Sequence, residues 1–291
     1  MDRFALILGD FARQFDRQFA AFLTATRPEC PELSKAIDYA CFNGGKRIRP
    51  FLVLESARLC EAPASGDFLA AAIEMVHCYS LIHDDLPAMD DSDLRRGRPT
   101  LHKQYGEATA ILAGDSLLTA SFEIIAKSSP LAPPVTVEII RALAQAAGGQ
   151  GMCGGQSLDI LGTATTPAEI GRMQRLKTGA LIEFSACAGA IMVADCGERR
   201  VALQTYAEAL GLAFQIADDI LDATGDSAVT GKTSGQDARD GKVNFVSLYG
   251  LAEARLQAEQ LVAQAQSSLA GFGKAAERLK GLADYAIQRV H

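Results

Sequence analysis

The chain has 291 residues, of which 48% are hydrophobic, and its formal net charge is −7. This is enough apolar material for a large core, and the acidic balance argues against nonspecific binding to nucleic acid. Alanine and leucine are frequent, strand-like runs of valine, isoleucine and threonine are few, and tryptophan is absent, which together favour an all-α protein.

The seven cysteines are scattered along the chain and form no CxxC pair. We therefore predict small buried residues of a reducing compartment, and neither a zinc site nor a disulfide framework. The apolar run at residues 4–8 does not make a signal peptide, and the uncharged apolar run at 184–194 is too short to span a bilayer. We expect a cytoplasmic protein without membrane insertion.

A basic, glycine-flanked segment follows the first two predicted helices. Apolar residues at helical spacing predict an amphipathic helix over residues 3–25, and a second helix from about 31 to 42 ends at a glycine pair. Residues 44–50 then read GGKRIRP, with three cations within four residues ahead of a helix at about 51–60. Glycine allows close approach of the backbone and lysine and arginine bind phosphate, so this segment suits a diphosphate, although an ordinary basic loop has the same composition.

The most distinctive segment is residues 81–100, LIHDDLPAMDDSDLRRGRPT, at the end of a helix predicted over 68–85. Pro87 favours a break near Asp85. Carboxylates at a helix C-terminus face the negative end of its dipole, and two of them about 4 Å apart repel by roughly 4 kcal/mol at a dielectric of about 20. A divalent cation would reverse these terms, and oxygen ligands beside arginines suit Mg²⁺ with a phosphate substrate, although a solvated acidic loop followed by a basic turn has the same composition.

One face of this helix and a later helix carry further polar candidates. His77, Ser80 and Asp84 share a face, so His77 is a candidate for the same site as well as for a structural role. Helices are predicted at about 106–128, 134–148, from 167, 180–194, 198–222, 246–270 and 273–289, with a glycine-rich break at 148–155 and a loop at 223–241. In helix 198–222, Gln215, Asp218 and Asp222 form one stripe, and an acidic pair among apolar neighbours is costly unless it is solvated or binds a cation.

With both aspartate clusters in view, the chain resembles the bacterial short-chain trans-isoprenyl diphosphate synthases, most of all the farnesyl diphosphate synthases. The first cluster, DDLPAMD at 84–90, and the second, DDILD at 218–222, match the two aspartate-rich motifs of that family. GGKRIRP at 44–50, the pair Arg95–Arg96, GGQSLD at 154–159 and KTGAL at 177–181 also match. These six motifs stand in family order over about residues 40–245, which makes the resemblance specific.

The resemblance implies an all-α single-domain protein over residues 1–291, a bundle of about 10–13 helices around a central cavity, and a homodimer. It implies that isopentenyl diphosphate is joined head-to-tail to dimethylallyl and geranyl diphosphate to give all-trans farnesyl diphosphate. Magnesium, three ions per active site, assists departure of the allylic diphosphate. The double bond of isopentenyl diphosphate attacks the resulting cation, and a proton is then lost.

The resemblance also assigns roles to particular residues. The implied metal ligands are Asp84, Asp85, Asp90, Asp218 and Asp222. Allylic diphosphate is held by Arg95, Lys177 and Lys232, and isopentenyl diphosphate by Lys46, Arg49, His77 and Arg96. Thr178 and Gln215 stabilise the cation with neutral dipoles. Tyr79, with the small Ser80 beside it, is implied to be the floor that limits the product to fifteen carbons, and a core residue is the alternative for Tyr79.

Two departures from the family pattern and five alternative functions remain open. Ser92 stands where relatives have a further aspartate, and Asn244-Phe245 stands where many have Thr-Tyr, which leaves the role of that pair undefined. The product alternatives are geranyl and geranylgeranyl diphosphate. A metal phosphohydrolase built on His83-Asp84 would need more histidines than the chain offers. An inactive synthase subunit would be expected to lose an aspartate or Lys46, and a terpene cyclase would not need GGKRIRP.

Overall fold

The computed structural model describes residues 3–195, 197–224 and 244–288. Within these ranges the chain is almost entirely helical, so the all-α prediction is confirmed. Lys232, predicted to bind allylic diphosphate, lies outside the described residues.

The described chain divides into two compact units, one formed by Met1–Leu54 and Ala64–Ile140 and the other by Glu55–Pro63 and Arg141–His291. The elements in the first half of the chain are α1 (Arg3–Ala25), α2 (Pro31–Cys41), α3 (Ile48–Leu59), α4 (Asp67–Asp84), the two-stranded hairpin β1 (Leu94–Arg95) and β2 (Arg98–Pro99), α5 (Leu101–Tyr105), α6 (Glu107–Ser128) and α7 (Pro133–Ala147). The remaining elements are α8 (Met152–Leu161), α9 (Pro167–Gln174), a π-helical segment (Arg175–Gly179), α10 (Ala180–Met192), α11 (Glu198–Thr224), α12 (Phe245–Tyr249), α13 (Leu251–Ser268), a 3₁₀ segment (Ala270–Ala276) and α14 (Glu277–Gln288).

In the first unit, α4 packs against α6, and α1 covers the unit with phenylalanines. Phe15 and Phe19 are 1% and 0% exposed, and the ring of Phe11 meets that of Phe51 edge-on at 5.2 Å. Aromatic contacts of this geometry add to the burial of apolar area. This explains why the first amphipathic stripe is so rich in phenylalanine. One helix, α6, is long and apolar enough to cross a bilayer by length and composition, and 44% of its most apolar window is buried inside the protein.

In the second unit, α10 and α11 form the centre, and small residues let backbones meet. Gly189 in α10 lies directly against the backbone of Ser56. A Cβ at this position would be 2.1 Å from the Ser56 carbonyl oxygen, so no larger residue fits. The Gly189 N–H donates to Ser56 Oγ at 2.7 Å. The hydroxyl of Tyr206 in α11 donates to the carbonyl of Leu279 at 2.7 Å. These contacts satisfy polar groups within an otherwise apolar interior.

The helix predictions are confirmed to within a few residues, but they missed the short helix α5, the helix α8 that overlaps the predicted glycine-rich break, the break at Gly250 and the hairpin. Gly106 and Gly250, at φ +87° and +80°, separate α5 from α6 and α12 from α13. Gly273, at φ +56°, lies inside the 3₁₀ segment before α14. The hairpin turns at Arg96 and Gly97, which both have positive φ, the conformation that two-residue hairpin loops require.

Candidate active site

The face of α4 predicted to carry site residues is the half-exposed face of an otherwise buried helix. His77, Ser80, Leu81 and Asp84 are all partly exposed, whereas residues 68–76, 78, 79 and 82 are buried. These side chains therefore share one face of α4, as their spacing predicts. Exposure along one stripe of a core helix is what a ligand site needs.

The loop after α4 folds back onto the end of the helix. The Asp90 N–H donates to the Asp84 carbonyl at 2.9 Å, and the Ser92 N–H donates to the Asp85 carbonyl at 3.2 Å. Asp91 adopts φ +44°, which lets the chain turn. Asp84 and Asp90, the first and last residues of DDLPAMD, are thereby joined directly through the backbone, as shared metal ligands would require.

Asp85 has a different partner from the one predicted by its place in the cluster. Its carboxylate is 3% exposed and is held by Arg95, whose Nε lies 2.8 Å from Oδ2 and whose Nη2 lies 2.8 Å from Oδ1. A bidentate pair of this kind is strong and geometrically specific. Arg95, predicted to hold the allylic diphosphate, is therefore already bound to a motif residue, and the role of Asp85 as a ligand stays a prediction.

Arg96 shapes the glycine-rich turn before the basic segment. Its guanidinium donates to the carbonyl oxygens of Gly44 and Asn43, and the Asn43 amide donates to the Arg95 carbonyl at 3.1 Å. A Cβ at Gly45 would lie 2.6 Å from Arg96 Nη1, and Gly45 itself has φ +120°. Glycine at position 45 is thus favoured by its φ and by the contact with Arg96, in addition to any contact with a ligand.

Of the three cations counted in the basic segment, Arg47 is not available to a ligand. Its side chain is 1% exposed and donates to Glu74 at 2.5 Å, to Asp16 at 2.8 Å and to the Cys41 carbonyl at 2.6 Å. These partners raise its pKa above the ordinary value for arginine even though burial opposes this. Charged groups inside a protein are normally paired in this way. Lys46 and Arg49 are the members of the segment that stay exposed or half-exposed.

His77 lies among positive charges. Burial lowers its pKa well below the usual value of about 6.5, and the guanidiniums of Arg49, Arg96, Arg95 and Arg47 lower it further. Arg49 Nε is buried without a hydrogen-bond partner among the described residues. His77, Arg95, Arg96 and Asp85 line a recess of about 460 Å³. The predicted isopentenyl diphosphate residues His77 and Arg96 are brought together there, with Arg49 close enough to act on the same imidazole.

In the second unit, Lys177 and Thr178 lie in the π-helical segment between α9 and α10. Such segments re-aim side chains and occur often at functional sites. Lys177 Nζ is bonded to Asp159 Oδ2 at 2.5 Å, so the last residue of GGQSLD orients the lysine of KTGAL. A Cβ at Gly155 would lie 2.1 Å from the backbone nitrogen of Lys177, which explains why GGQSLD has glycine at this position. Gln156 beside it is 8% exposed, and neither end of its amide has a partner in the described chain.

The stripe predicted on α11 is present, and beside it lies the buried Asp219, which the spacing did not single out. Gln215 and Asp222 are half-exposed and Asp218 is exposed. Asp219, the middle carboxylate of DDILD, is 2% exposed and accepts from Gln215 Nε2 at 2.9 Å and from the Phe245 N–H at 3.0 Å. A signal for this pairing was present, because Gln215 and Asp219 are one helical turn apart.

Asn244 and Phe245, whose role was undefined, begin α12. Asn244 is the N-cap residue, since its side chain accepts from the Ser247 N–H at 2.9 Å while Ser247 Oγ accepts from the Asn244 N–H at 2.9 Å. Capping of this kind satisfies backbone N–H groups that the helix leaves without partners. The pair therefore has a structural role in the described chain, fastened to α11 through Asp219.

Tyr79 and Ser80 differ in the way that the predicted floor requires. Tyr79 is 6% exposed and its ring meets that of His83 edge-on at 5.7 Å, while the small Ser80 side chain is half-exposed and donates to the His77 carbonyl at 2.9 Å.

His83, the centre of the phosphohydrolase alternative, bonds through Nε2 to the Ile111 carbonyl at 3.1 Å. Within the described ranges no three His, Cys, Asp or Glu side chains cluster as a metal site. Magnesium does not need such a cluster, since substrate phosphates complete its coordination.

Comparison with known proteins agrees with the geometry. A family model described as polyprenyl synthetase matches residues 30–278. The chain is 42% identical over 288 residues to the farnesyl diphosphate synthase of Escherichia coli (strain K12), which covers 95% of this chain and 96% of that one. It is 47% identical over 242 residues to the farnesyl diphosphate synthase of Haemophilus influenzae, covering 81% and 82%. Among solved structures, an apo FPP/GFPP synthase from Zymomonas mobilis matches with a TM-score of 0.85 and 42% identity over 98% of both chains.

Proposed function

The chain belongs to the polyprenyl synthetase family, and on that premise we propose that it is a trans-prenyltransferase making farnesyl diphosphate. It condenses isopentenyl diphosphate head-to-tail with dimethylallyl diphosphate and then with geranyl diphosphate. The observation that carries the proposal is that the chain has both a cationic recess, in the first unit, and two aspartate clusters, one on α4 and one on α11. One feature suits a free diphosphate and the other a diphosphate bound through metal.

The cationic recess serves isopentenyl diphosphate. Arg47 and Arg95 are each paired with a buried carboxylate, whereas Arg49 and Arg96 have no carboxylate partner in the part of the chain that the structure describes. The guanidiniums without carboxylates can bind an anion without breaking an existing ion pair. Neutral His77 adds a hydrogen bond, and the exposed Lys46 adds charge from the rim. Arg49 Nε in particular gains a partner that it otherwise lacks.

The aspartates serve the allylic substrate. Asp84, Asp90 and Asp218 are partly or fully exposed, and their donors are the hard oxygens that magnesium prefers. We assign them three ions, with Asp85 and Asp222 as supporting members of each cluster. When bound, magnesium neutralises the charge that develops on the leaving diphosphate. Arg95, through its pair with Asp85, fixes the end of α4 from which Asp84 and Asp90 project. Lys232 stays part of this proposal from the family motif alone.

The residues of the π-helical segment and α11 act on the organic part of the substrate. Lys177, oriented by Asp159, steadies the allylic diphosphate. Thr178 and Gln215 present neutral dipoles to the allylic carbon as the C–O bond breaks, so positive charge is stabilised without a nucleophile that would trap it. The double bond of isopentenyl diphosphate then attacks the allylic carbon, and loss of a proton from the adduct restores a double bond. Tyr79 ends the cavity available to the growing chain.

We also propose a cytoplasmic homodimer that functions as a single domain and does not insert into membranes. The exposed face of α6 carries Ile111 and Leu112, 43% and 56% exposed, on a helix whose most apolar window has a mean hydropathy of 1.4. A second copy would cover this face, because contiguous exposed apolar residues mark interaction surfaces. Light scattering should give twice the chain mass of 30.9 kDa, and Leu112→Glu should give the single mass. A wild-type monomer would contradict the proposal.

An assay of product length tests the proposed function. Purified protein is supplied with isopentenyl diphosphate and either dimethylallyl or geranyl diphosphate in the presence of Mg²⁺, and dephosphorylated products are separated by chain length. Farnesol from both allylic substrates supports the proposal. Ten- or twenty-carbon products would identify a geranyl or geranylgeranyl diphosphate synthase. Release of phosphate without a new carbon–carbon bond would instead support a phosphohydrolase, and no reaction would support an inactive subunit.

A further inference from the structure

Asp219 occupies a motif position but has the environment of an internal support. It is 2% exposed, whereas its neighbours in DDILD, Asp218 and Asp222, are exposed and half-exposed. Its two oxygens accept from different elements, Oδ1 from the Gln215 side chain in α11 and Oδ2 from the Phe245 N–H at the start of α12. A buried carboxylate needs such hydrogen bonds to offset its loss of hydration.

The contact with Asp219 determines which way the Gln215 amide faces. The atom that meets Asp219 Oδ1 is Nε2 of Gln215, at 2.9 Å, so the NH₂ end of the amide and not its carbonyl faces Asp219. The carbonyl oxygen of Gln215 therefore faces away from Asp219. Gln215 lies on the partly exposed stripe of α11 together with Asp218 and Asp222, so this oxygen belongs to the side that the proposed function gives to the allylic substrate.

We propose that Asp219 is a positioning residue that fixes the Gln215 amide with its carbonyl oxygen toward the allylic carbon. This inference rests on the proposed function of the same site. A carbonyl oxygen carries partial negative charge and stabilises a neighbouring cation, whereas the NH₂ end of a reversed amide would repel it. The amide is oriented before the reaction begins, so no reorganisation is needed when the positive charge appears.

The requirement for two acceptors makes an asparagine substitution informative. Asn has one carbonyl oxygen and one NH₂, so Asp219→Asn cannot accept from both Phe245 and Gln215. If its carbonyl keeps the Phe245 N–H, its NH₂ meets Gln215, and the amide of Gln215 must reverse to offer its oxygen. The reversed amide presents its NH₂ to the allylic carbon. Shape is nearly unchanged, so the variant alters the direction of a dipole more than the packing.

Steady-state kinetics with isopentenyl and geranyl diphosphate test the proposal through a double-mutant cycle. Asp219→Asn is expected to lower kcat about 10- to 100-fold, with both KM values changed by less than about threefold. Gln215→Met, which has similar length and no amide, should lower kcat similarly. Adding Asp219→Asn to Gln215→Met should cause no further loss, because Asp219 acts through the missing amide. An equal further loss in the Gln215→Met background would overturn the proposal.

A binding experiment separates a positioning role from a general structural one. An ammonium analogue of the allylic cation and its neutral isostere, each carrying a diphosphate, are titrated into each protein with Mg²⁺. Wild type should prefer the ammonium analogue, and Asp219→Asn should reduce that preference about tenfold. Tyr206→Phe removes the hydrogen bond from α11 to the Leu279 carbonyl without touching Gln215 or Asp219 and should keep the preference. Loss of preference in Tyr206→Phe, or its retention in Asp219→Asn, would contradict the proposal.

Two further measures keep the outcomes distinguishable. Circular dichroism and thermal unfolding of each variant establish that the compared proteins are folded, and Asp219→Ser, which is smaller and supplies one hydroxyl, replaces the Asn variant if that one does not fold. The same expectations apply to it. Wild-type production of farnesyl diphosphate tests the proposed function by itself. Wild-type activity together with a failed cycle would reject only the role of Asp219.

Discussion

Gly114 in α6 provides the space in which the imidazole of His83 rests. A Cβ added at Gly114 would lie 2.1 Å from His83 Nε2 and 2.5 Å from its Cδ2, closer than such atoms approach in proteins. His83 Nε2 also bonds to the Ile111 carbonyl one turn earlier in α6, and its ring meets Tyr79 edge-on. A glycine inside a long helix is thus explained by one histidine, which immediately precedes Asp84.

We predict that Gly114→Ala destabilises the protein and lowers its activity. The ring of His83 must move, and overpacking of this kind costs about 1–3 kcal/mol. Gly9→Ala in α1 is the matched control, since its Cβ would meet nothing closer than Arg13 Nη1 at 3.7 Å. That variant should be stabilised by up to about 1 kcal/mol, the gain expected for alanine in a helix. Urea unfolding measures the free energy of unfolding of the two variants, and steady-state turnover measures their activity. Equal effects of the two substitutions on stability would show that the His83 ring moves aside at no cost.

The environment of His77 predicts a pH dependence of stability. Its pKa in the folded protein is lowered, first by burial and then by the arginines, from a value of about 6.5 in the unfolded chain. Below pH 6.5 the unfolded chain therefore binds a proton that the folded protein does not. The free energy of unfolding should fall as pH falls from about 6.5 toward the lowered pKa, by at most about 1.4 kcal/mol per pH unit from this residue.

Unfolding by urea between pH 5 and 7.5 measures this dependence. His77→Gln, which cannot titrate, should show a flatter profile than wild type over that range. Isopentenyl diphosphate should also flatten the wild-type profile, because a bound anion favours the charged imidazole. Identical profiles for wild type and His77→Gln would mean that the arginines do not control the charge of His77.

The cationic recess predicts that the two substrates depend on different residues. Arg49→Ala should raise KM for isopentenyl diphosphate about tenfold or more and change KM for geranyl diphosphate much less, since a charge-assisted hydrogen bond contributes about 1.5–3 kcal/mol. Arg98→Ala is the control, because the Arg98 guanidinium lies over the Tyr39 ring at 4.1 Å and, unlike that of Arg49, is not among the charges that act on His77. An equal rise in KM for both substrates in Arg49→Ala would contradict the assignment of the two diphosphates to separate sites.

The bulk of Tyr79 predicts the length of the product. Its ring is buried and supported by His83, so a growing chain cannot displace it easily. Tyr79→Ala should extend products to twenty carbons or longer, whereas Tyr79→Phe, which keeps the ring, should still give fifteen. Chromatography of the dephosphorylated products decides between these outcomes. An unchanged product from Tyr79→Ala would place the floor elsewhere and make Tyr79 a core residue.

Periodicity predicted the helices and the face of α4 because both depend on local spacing. Asp84, Ser80 and His77 fall on one side of a 3.6-residue repeat whatever the rest of the fold does. The hairpin at Arg95–Arg98 was missed because its strands have two residues each, too few to show alternation. The break at Gly250 was missed because one glycine inside an apolar pattern is also compatible with a continuous helix, and α8 was missed because Gly154 and Gly155 favour a break.

Partnerships between distant residues were beyond the reach of spacing. Arg47 stands between Lys46 and Arg49 and looks equally basic, but Glu74 and Asp16, which bury it, come from other helices. The same limit applies to Asp85, which the sequence groups with metal ligands and the fold joins to Arg95. Charge patterns predict that a site binds anions or cations, whereas only tertiary contacts show which members are already neutralised.

We propose that both aspartate clusters are needed for the metal-dependent departure of diphosphate. Single-turnover formation of farnesyl diphosphate from geranyl and isopentenyl diphosphate measures that step. Wild type should form the product with saturating Mg²⁺ and none with a chelator. Asp84→Ala and Asp218→Ala should remain folded, since the carboxylates of each cluster repel one another, and should each be slower by about three decades or more. Near-normal turnover by either variant would contradict the account.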